Sequence, residues 1–400
     1  MPVSNILVLA IALLAGLVLV SKKLAGNRVW RATITPLASI IGSGFLVLGP
    51  ILQFSYGYFA PLVMALLCLV AYLFGAAIRA NIRSTEAMNG AQSPLEARLD
   101  RVASWSLAFA YVVSVAYYLN LFGAFGVSLT EVDDRLHARL LTSAVLVLIL
   151  IVGWSRGFSA LEKMEQVFVG LKLAIILGLI AGLILFNVEH AVHAELVLNP
   201  PQVTGWSGLA LAFGLIVTIQ GFETSRYLGD SYDAPTRIRS MKLAQWVSAA
   251  IYIVYIALIS FSFEASELSF SETAIIDMMQ IVAPILPVLL VVAALSAQFS
   301  AAVADTGGSG GLFVELSKGK INVRYAYALL VGAGLLLTWT ANLFEIIAYA
   351  SRAFALYYAL QSAIAAINAF HSGRLFRLAL FASLCVLGLM IVIFGTPVEV

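Results

Sequence analysis

The stretch ASIIGSGFLVLGP, Ala38–Pro50, places Gly42, Ser43 and Gly44 in the middle of a long apolar run. Glycine weakens a helix interior by roughly 0.5–1 kcal/mol relative to alanine, and lipid offers no hydrogen-bond partner to a backbone that unwinds. Such a break survives only where the backbone lines a cavity or is buried in protein. The stretch therefore predicts an interrupted membrane helix beside a polar site.

The composition places the whole chain in a membrane. Of its 400 residues, 62% are hydrophobic and 11% are charged, whereas a soluble domain carries roughly a quarter charged residues. The apolar runs are continuous, which favours helices over the alternating strands of a membrane barrel. The 2 cysteines and 4 histidines show no metal or disulfide spacing, and no basic run suits nucleic acid. We expect an all-α integral membrane protein with no metal, cofactor or nucleic-acid partner.

The chain contains twelve apolar segments of spanning length, which is about 20 residues. They cover approximately residues 4–21, 35–55, 57–79, 103–127, 138–154, 164–186, 207–228, 241–262, 274–304, 323–340, 342–368 and 375–395. Lys22 and Lys23 follow the first segment and no basic residue precedes it, which is the reverse of a signal peptide. We therefore expect twelve transmembrane helices.

Loop charges predict the orientation. With Met1 outside the cytoplasm, 19 of the 23 lysines and arginines fall in internal loops, and the external loops hold only Arg135 and Arg139. This split follows the positive-inside rule. We expect a multi-pass protein of the cell inner membrane with both termini outside the cytoplasm. The two remaining basic residues, Lys172 and Arg352, lie within apolar runs.

A second interruption follows five segments after the first. TIQGFETSRYLGD, Thr218–Asp230, carries Gly221 and Glu223 inside an apolar run. Breaks at matching positions of two halves are typical of inverted-repeat transporters, where freed amides and helix ends hold the solute. Close helix packing explains either glycine site alone, but the spacing and opposite directions of the two runs favour a transporter.

Both breaks resemble one family. IIGSGF resembles the broken first core helix of the amino acid–polyamine–organocation (APC) superfamily, and IQGFETSRYLGDSYDAPTRI resembles its sixth, with Asp230 and Pro235 in the places of an acidic residue and a proline. The resemblance implies the leucine-transporter-type fold, a 5+5 inverted repeat, and secondary transport of a small solute, most often an amino acid. The chain departs from the family in its extra N-terminal helix and in Val217, where members often place a bulky aromatic gate.

This layout gives four expected regions. Residues 1–34 would form the extra N-terminal helix and a basic cytoplasmic loop, 35–186 the first five-helix repeat, 187–368 the second repeat, and 369–400 a C-terminal transmembrane helix. Freed amides at the first break would meet a carboxylate at the positive end of the following half-helix, and carbonyls of residues 218–220 would meet an amine. The expected substrate-binding residues are Ile41, Gly42, Ser43, Gly44, Val217, Thr218, Gln220, Gly221 and Phe222.

Lys172 is a candidate for the coupling site. A lysine at the bilayer centre costs about 2.5–3.5 kcal/mol on insertion scales, so it should face the bundle interior. The resemblance implies that its ammonium replaces the sodium of sodium-coupled relatives, near Ser296 and Ser300 of the eighth core helix. A desolvated lysine that releases its proton would couple transport to protons. A permanently charged lysine that bridges the first and eighth core helices is the alternative.

Arg352 lies about ten residues, or ~15 Å, from the outer end of its helix and needs a partner there. We expect a gate or intramembrane ion pair, or bidentate binding of a substrate carboxylate. The acidic candidates are Glu223, Asp230, Asp305 and Glu345. The run DTGGSGG, Asp305–Gly311, lacks the lysine of a phosphate loop and follows no strand, so it predicts a flexible cytoplasmic connection.

The expected function is that of a permease for an amino acid or similar small organic solute. It would work by alternating access, without sodium, and with proton symport or exchange. The alternatives are a carrier of an organic anion, an amine or a nucleobase, and a membrane sensor or scaffold that keeps the fold without transport. An enzyme is not expected, because no histidine, aspartate or glutamate cluster is arranged for chemistry. The expected partners are the solute, the lipid bilayer and protons, and the sequence is compatible with an oligomer.

Overall fold

The computed structural model describes residues 3–42, 44–87, 93–155, 165–193, 195–229, 231–264 and 271–398. In these ranges the regular structure is helical and no strand occurs. The helices are α1 (Val3–Val20), α2 (Lys22–Ala25), α3 (Arg28–Gly42), α4 (Phe45–Tyr56), α5 (Ala60–Ala87), α6 (Pro94–Val127), α7 (Arg135–Ser155), α8 (Glu165–Val192), α9 (Gly205–Gly214), α10 (Ala234–Ser260), α11 (Ala274–Val282), α12 (Leu286–Leu316), α13 (Val323–Thr340), α14 (Leu343–His371) and α15 (Leu375–Phe394). Three short 3₁₀ segments cover Gly57–Phe59, Ile216–Ile219 and Phe222–Tyr227.

The helices of the described residues agree with an integral membrane protein. Nine helical stretches are long and apolar enough to cross a membrane, counting 45–87 as one stretch. They correspond to nine of the twelve predicted segments. The other three are the shorter apolar helix α1 and the two interrupted segments, 35–55 and 207–228. The twelve-span count, the division into two five-helix repeats and the four regional boundaries stay predictions.

Both predicted interruptions are present. The first lies between the end of α3 at Gly42 and the start of α4 at Phe45. In the second, α9 ends at Gly214 and the chain continues through two 3₁₀ segments on either side of Gly221. Gly221 has a φ of +117°, a conformation that residues with a side chain rarely adopt. The glycine therefore permits the turn that separates the two halves of this segment.

The extra N-terminal helix α1 packs along α8. The contact is close because small residues line it: a Cβ added to Gly178 would lie 2.8 Å from the backbone oxygen of Val8. Val8 is fully buried, and Asn5 accepts a hydrogen bond from the backbone N–H of Ile285 (3.2 Å). Small residues let membrane helices approach closely and gain van der Waals contact. Helix α1 is thus a packing element against the predicted fifth core helix.

The structure corrects the prediction for Asp305–Gly311. This run is not a flexible connection but the continuous interior of α12. Packing accounts for the helix, because Gly310 meets the ring of Tyr327 on α13 and Gly308 lies against Tyr111 on α6. The predicted span 274–304 also divides into α11 and α12 around residues 283–285. Glycine is unfavourable in a water-exposed helix, but here it allows neighbouring helices to meet.

Candidate functional site

The two interruptions contact each other at the centre of the site. The hydroxyl of Tyr252 on α10 lies 3.0 Å from the carbonyl oxygen of Ile40 and 2.8 Å from that of Thr218. A Cβ added to Gly44 would lie 2.9 Å from the Thr218 side chain, and one added to Gly221 would lie 2.7 Å from the backbone nitrogen of Ile40. The Tyr252 hydroxyl therefore lies between two carbonyls of the interrupted segments and donates its single hydrogen to one of them at a time, which compensates backbone groups away from water.

A cavity of about 480 Å³ adjoins these interruptions. It lies between α3, the 3₁₀ segment Phe222–Tyr227, α6 and α12. Its lining comprises Thr35, Ala38, Ser39, Tyr111, Thr224, Tyr227, Leu228, Ser300, Ala301, Ala304, Asp305, Gly307, Gly308, Gly311, Leu312 and Glu315. These positions belong to the parts of α3 and α12 that lead toward the basic loops, which are the loops that hold 19 of the 23 lysines and arginines. The cavity therefore lies in the half of the molecule on that side, the basic-loop side. The other half is closed near the breaks by Gly44 against Tyr117 and Gly49 against Tyr255.

Of the predicted site residues, Ser300 and Asp305 line this cavity. The described residues of the two breaks do not: they are Ile41, Gly42, Gly44, Val217, Thr218, Gln220, Gly221 and Phe222. They are buried and packed against one another, and the cavity begins one turn earlier on α3, at Ala38 and Ser39. Ser43 and Asp230 lie outside the described residues. Substrate binding at the breaks stays a prediction.

Two buried carboxylates lie near the cavity. Asp305 is 3% exposed and accepts a hydrogen bond from the hydroxyl of Ser114 on α6. Glu223 is fully buried and accepts hydrogen bonds from the backbone N–H of Gly221 (3.0 Å) and the hydroxyl of Tyr358 on α14 (2.9 Å). Among the described residues, no hydrogen-bond donor contacts its other oxygen, Oε1. Glu223 therefore holds the turn at Gly221 to α14.

A tyrosine and serine network that sequence analysis missed surrounds these groups. The Gln220 amide donates to the hydroxyl of Tyr118 (2.6 Å), which also hydrogen-bonds to Ser39. Tyr111, Ser114 and Tyr118 follow an i, i+3, i+7 spacing within YVVSVAYYLN, which places them on one face of a helix. That polar stripe in an apolar run was a readable signal for a site on α6.

Lys172 contacts α3 and lines a small void that it shares with α12. It is 2% exposed, and its ammonium donates a hydrogen bond to the carbonyl oxygen of Ala38 on α3 (2.6 Å). A Cβ added to Gly42 would lie 3.4 Å from the Lys172 Nζ and 3.7 Å from the carbonyl oxygen of Ala297 on α12. A void of about 20 Å³ beside the lysine is also lined by Gln298, room for about one water molecule. The ammonium thus joins the end of α3 to its neighbours.

The two predicted coupling serines lie apart from this void. Ser296 donates to the carbonyl oxygen of Val292 in its own helix (2.7 Å), and Ser300 lines the large cavity. From α12, the void beside Lys172 is lined by Leu290, Ala293, Ala294, Ala297 and Gln298. The coupling roles predicted for Lys172, Ser296 and Ser300 stay predictions.

Arg352 has a partner that the sequence did not suggest. Its Nε and Nη2 donate to the carbonyl oxygen of Gly395, at 3.0 and 2.6 Å. Three of the proposed acidic partners are engaged elsewhere: Glu223 with Tyr358, Asp305 with Ser114, and Glu345 in the N-terminal cap of α14. The backbone N–H of Thr396 then donates to the carbonyl oxygen of Ala210 on α9 (3.0 Å). We name residues 395–398 the C-terminal clasp, because they tie α9 to α14 and α15.

An ion pair also lies beside the cavity. Arg226 Nη2 lies 2.6 Å from Asp100 Oδ1 on α6, with side chains 16% and 23% exposed. The Arg237 guanidinium donates to the backbone oxygen of Arg226 (2.8 Å). The neighbouring Tyr227 lines the cavity and its hydroxyl lies 3.4 Å from that of Tyr357. These contacts hold the 3₁₀ segment Phe222–Tyr227 against α6 and α14, so they constrain the wall of the cavity.

Two carboxylates outside the spanning helices are stabilised as anions. The backbone N–H and ring of His137 hydrogen-bond to Asp134 and lower the pKa of that carboxyl. Asp233 caps the N-terminus of α10, and hydrogen bonds from Thr236 lower its pKa. Hydrogen bonding to the charged form favours ionisation. Both groups therefore fix helix ends rather than contribute to the cavity.

A family profile described as an APC superfamily transporter matches residues 22–395. The chain belongs to the APC superfamily. The transporter is also 41% identical over 383 residues to an uncharacterized protein of Aquifex aeolicus (strain VF5), across 93% of this chain and 92% of the relative. The resemblance seen in the two interrupted segments is thus confirmed over most of the chain, and members of this superfamily are transporters rather than enzymes.

Proposed function

We propose that this APC protein is a secondary active transporter that moves an amino acid or similar small organic solute by alternating access. The observation that carries the proposal is the cavity of about 480 Å³, which reaches the two interrupted segments from the basic-loop side. A transporter of this kind needs a central site that opens to one side at a time. The volume lies within the ~300–1,000 Å³ range of small-molecule sites.

The loop charges suggest which state this is. The positive-inside rule assigns the basic loops to the cytoplasm, so the cavity would be open inward and closed outward. In this orientation the protein lies in the cell inner membrane with both termini outside the cytoplasm. The outward-open state would require the contacts of Gly44 with Tyr117 and Thr218 to separate.

We further propose that transport does not depend on sodium. The buried Lys172 ammonium donates to the carbonyl oxygen of Ala38, so a fixed positive charge already occupies the space between α3, α8 and α12. A second cation at the same place would meet like-charge repulsion in a region of low dielectric constant. Energy would then come from proton symport or from exchange of solutes.

The test is uptake by purified protein in liposomes. Radiolabelled amino acids and related metabolites are offered with sodium or with choline outside, and with or without an inward proton gradient. We expect accumulation that is equal in sodium and choline. A strict sodium requirement would remove the role proposed for Lys172. Ligand-induced thermal stabilisation without any uptake would favour a sensor of the same fold.

A further inference from the structure

The lining of the large cavity contains two carboxyl groups and, among the described residues, no basic side chain. Its charged residues are Asp305, in the wall, and Glu315, which is exposed, and it includes no lysine, arginine or histidine among the described residues. The remaining polar lining consists of the hydroxyl groups of Thr35, Ser39, Thr224 and Ser300 and the two tyrosines. When its carboxyl groups are ionised, such a lining attracts cations and repels anions.

Asp305 lacks a cationic partner among the described residues. Its carboxyl is 3% exposed, lines the cavity and receives one hydrogen bond, from the Ser114 hydroxyl. The neighbouring carboxyl group is Glu223, which is itself fully buried and forms no ion pair with a described residue. A buried carboxylate is costly unless an opposite charge and hydrogen-bond donors compensate it. The cavity places space for such a group directly against Asp305.

The glycines of α12 keep the path to Asp305 open. Gly307, Gly308 and Gly311 line the cavity, and a Cβ added at Gly311 would meet no atom within 4 Å. The Tyr111 ring contacts Gly308 and also lines the cavity. Aromatic faces attract ammonium groups by about 0.5–2 kcal/mol. A narrow amine could therefore pass the glycines and reach the carboxylate beside a tyrosine.

The cations that would suit an anionic solute are engaged with other groups: Arg226, beside the cavity but outside its lining, is paired with Asp100. Lys172 contacts Ala38 and lines the separate small void, and Arg352 holds the C-terminal clasp. We infer that the transported solute carries a cationic amine, and that Asp305 binds this amine from the wall of the cavity. The inference rests on the proposed transport function and names the class of its solute: an organic amine, or an amino acid with an additional ammonium group.

In the experiment, purified protein is titrated with four probes of similar length and different charge. Binding of each probe is measured from the thermal unfolding midpoint of the protein at each probe concentration. The probes are L-lysine, its uncharged side-chain counterpart L-norleucine, the diamine cadaverine and the anion pentanoate. We expect L-lysine and cadaverine to bind at least about tenfold more tightly than norleucine, as a charge-assisted hydrogen bond implies, and pentanoate not to bind. Equal affinity for norleucine, tighter binding of pentanoate, or no binding by either amine would overturn the inference.

A variant tests the residue itself. Asp305→Asn keeps the shape of the side chain and should lower the affinity for cadaverine at least about tenfold. The matched control is Asp277→Asn, which makes the same change at an exposed position of α11, outside the cavity, and should leave the affinity within about twofold. Unchanged affinity in Asp305→Asn would overturn the assignment. If that variant fails to fold, the comparison of the four probes on the wild-type protein tests the preference for a cationic solute.

Counterflow in liposomes separates this inference from the proposed function. Rapid counterflow of norleucine without preference for cadaverine would leave transport intact and overturn the cation assignment. Charge-selective binding that is lost in Asp305→Asn, without counterflow of any probe, would support the cation site and overturn transport.

Discussion

Replacing Gly221 with alanine tests how the second interruption is held. Its φ of +117° would place a side chain in an unfavourable conformation, which costs about 1–3 kcal/mol. The added Cβ would lie 2.7 Å from the backbone nitrogen of Ile40 and 2.5 Å from the Ser39 Cβ. Forcing a methyl group into a packed interior costs about 1–3 kcal/mol more. We therefore expect Gly221→Ala to lower the free energy of unfolding by about 2–6 kcal/mol.

That loss is large compared with the ~5–15 kcal/mol stability of typical proteins. The assay is thermal unfolding of the detergent-purified protein, where each kcal/mol shifts the midpoint by about 2–4 °C in chains of 150–250 residues and less in longer chains. We expect a fall of several degrees and a loss of uptake, since the clash pushes α3 away from the 3₁₀ segment that follows Gly221.

The matched control is Gly332→Ala on α13. Gly332 is exposed in a helix, and an added Cβ there meets no atom within 4 Å. Alanine favours helix by about 0.5–1 kcal/mol, so this variant should unfold at the wild-type temperature or above it. A Gly221→Ala protein with the midpoint and uptake of the wild type would refute the reasoning that the positive φ and the close approach maintain the break.

Three further variants probe other contacts. Lys172→Ala should lower uptake at least about tenfold, because it removes a charged hydrogen bond to the end of α3, worth about 1.5–3 kcal/mol; uptake equal to the wild type would contradict this. Arg352→Gln should lower the free energy of unfolding by about 1–3 kcal/mol through loss of the hydrogen bonds to the C-terminal clasp, and should lower the midpoint of thermal unfolding accordingly. An unchanged midpoint would show that the clasp is dispensable. The lowered pKa of Asp134 stabilises the fold above its unfolded pKa of about 3.9, and this contribution disappears as the pH falls through the folded pKa. Asp134→Asn should therefore lose less stability than the wild type between pH 5 and pH 3, which midpoints measured across that range would reveal.

The interruptions could be predicted from the sequence because their cause is local. Gly42, Gly44 and Gly221 weaken the helix in apolar runs whose other residues favour a membrane helix. The structure has an interruption at both places. The burial of Lys172 against α3 also follows from local chemistry. A buried ammonium must face the bundle and find an oxygen, and it finds the Ala38 carbonyl.

The cavity could not be predicted in the same way, because three separate helices create it. The glycines after Asp305 suggested a loop, and only their contacts with Tyr111 and Tyr327 make that run a helix. Arg352 was expected to pair with an acid, but its partner is a backbone carbonyl, and such an acceptor has no sequence signature. Tertiary contacts override local propensity at these positions.

The anchorage of the last residues has a practical consequence for watching the protein move. The Thr396 N–H is bonded to α9, while the Thr396 side chain is exposed. A probe attached through Thr396→Cys would move with α9, the first half of the second interrupted segment, without entering the cavity. Distances from that probe to one on a helix packed elsewhere would report movement of this half-helix directly, in a protein whose own cysteines, Cys68 and Cys385, are both partly buried.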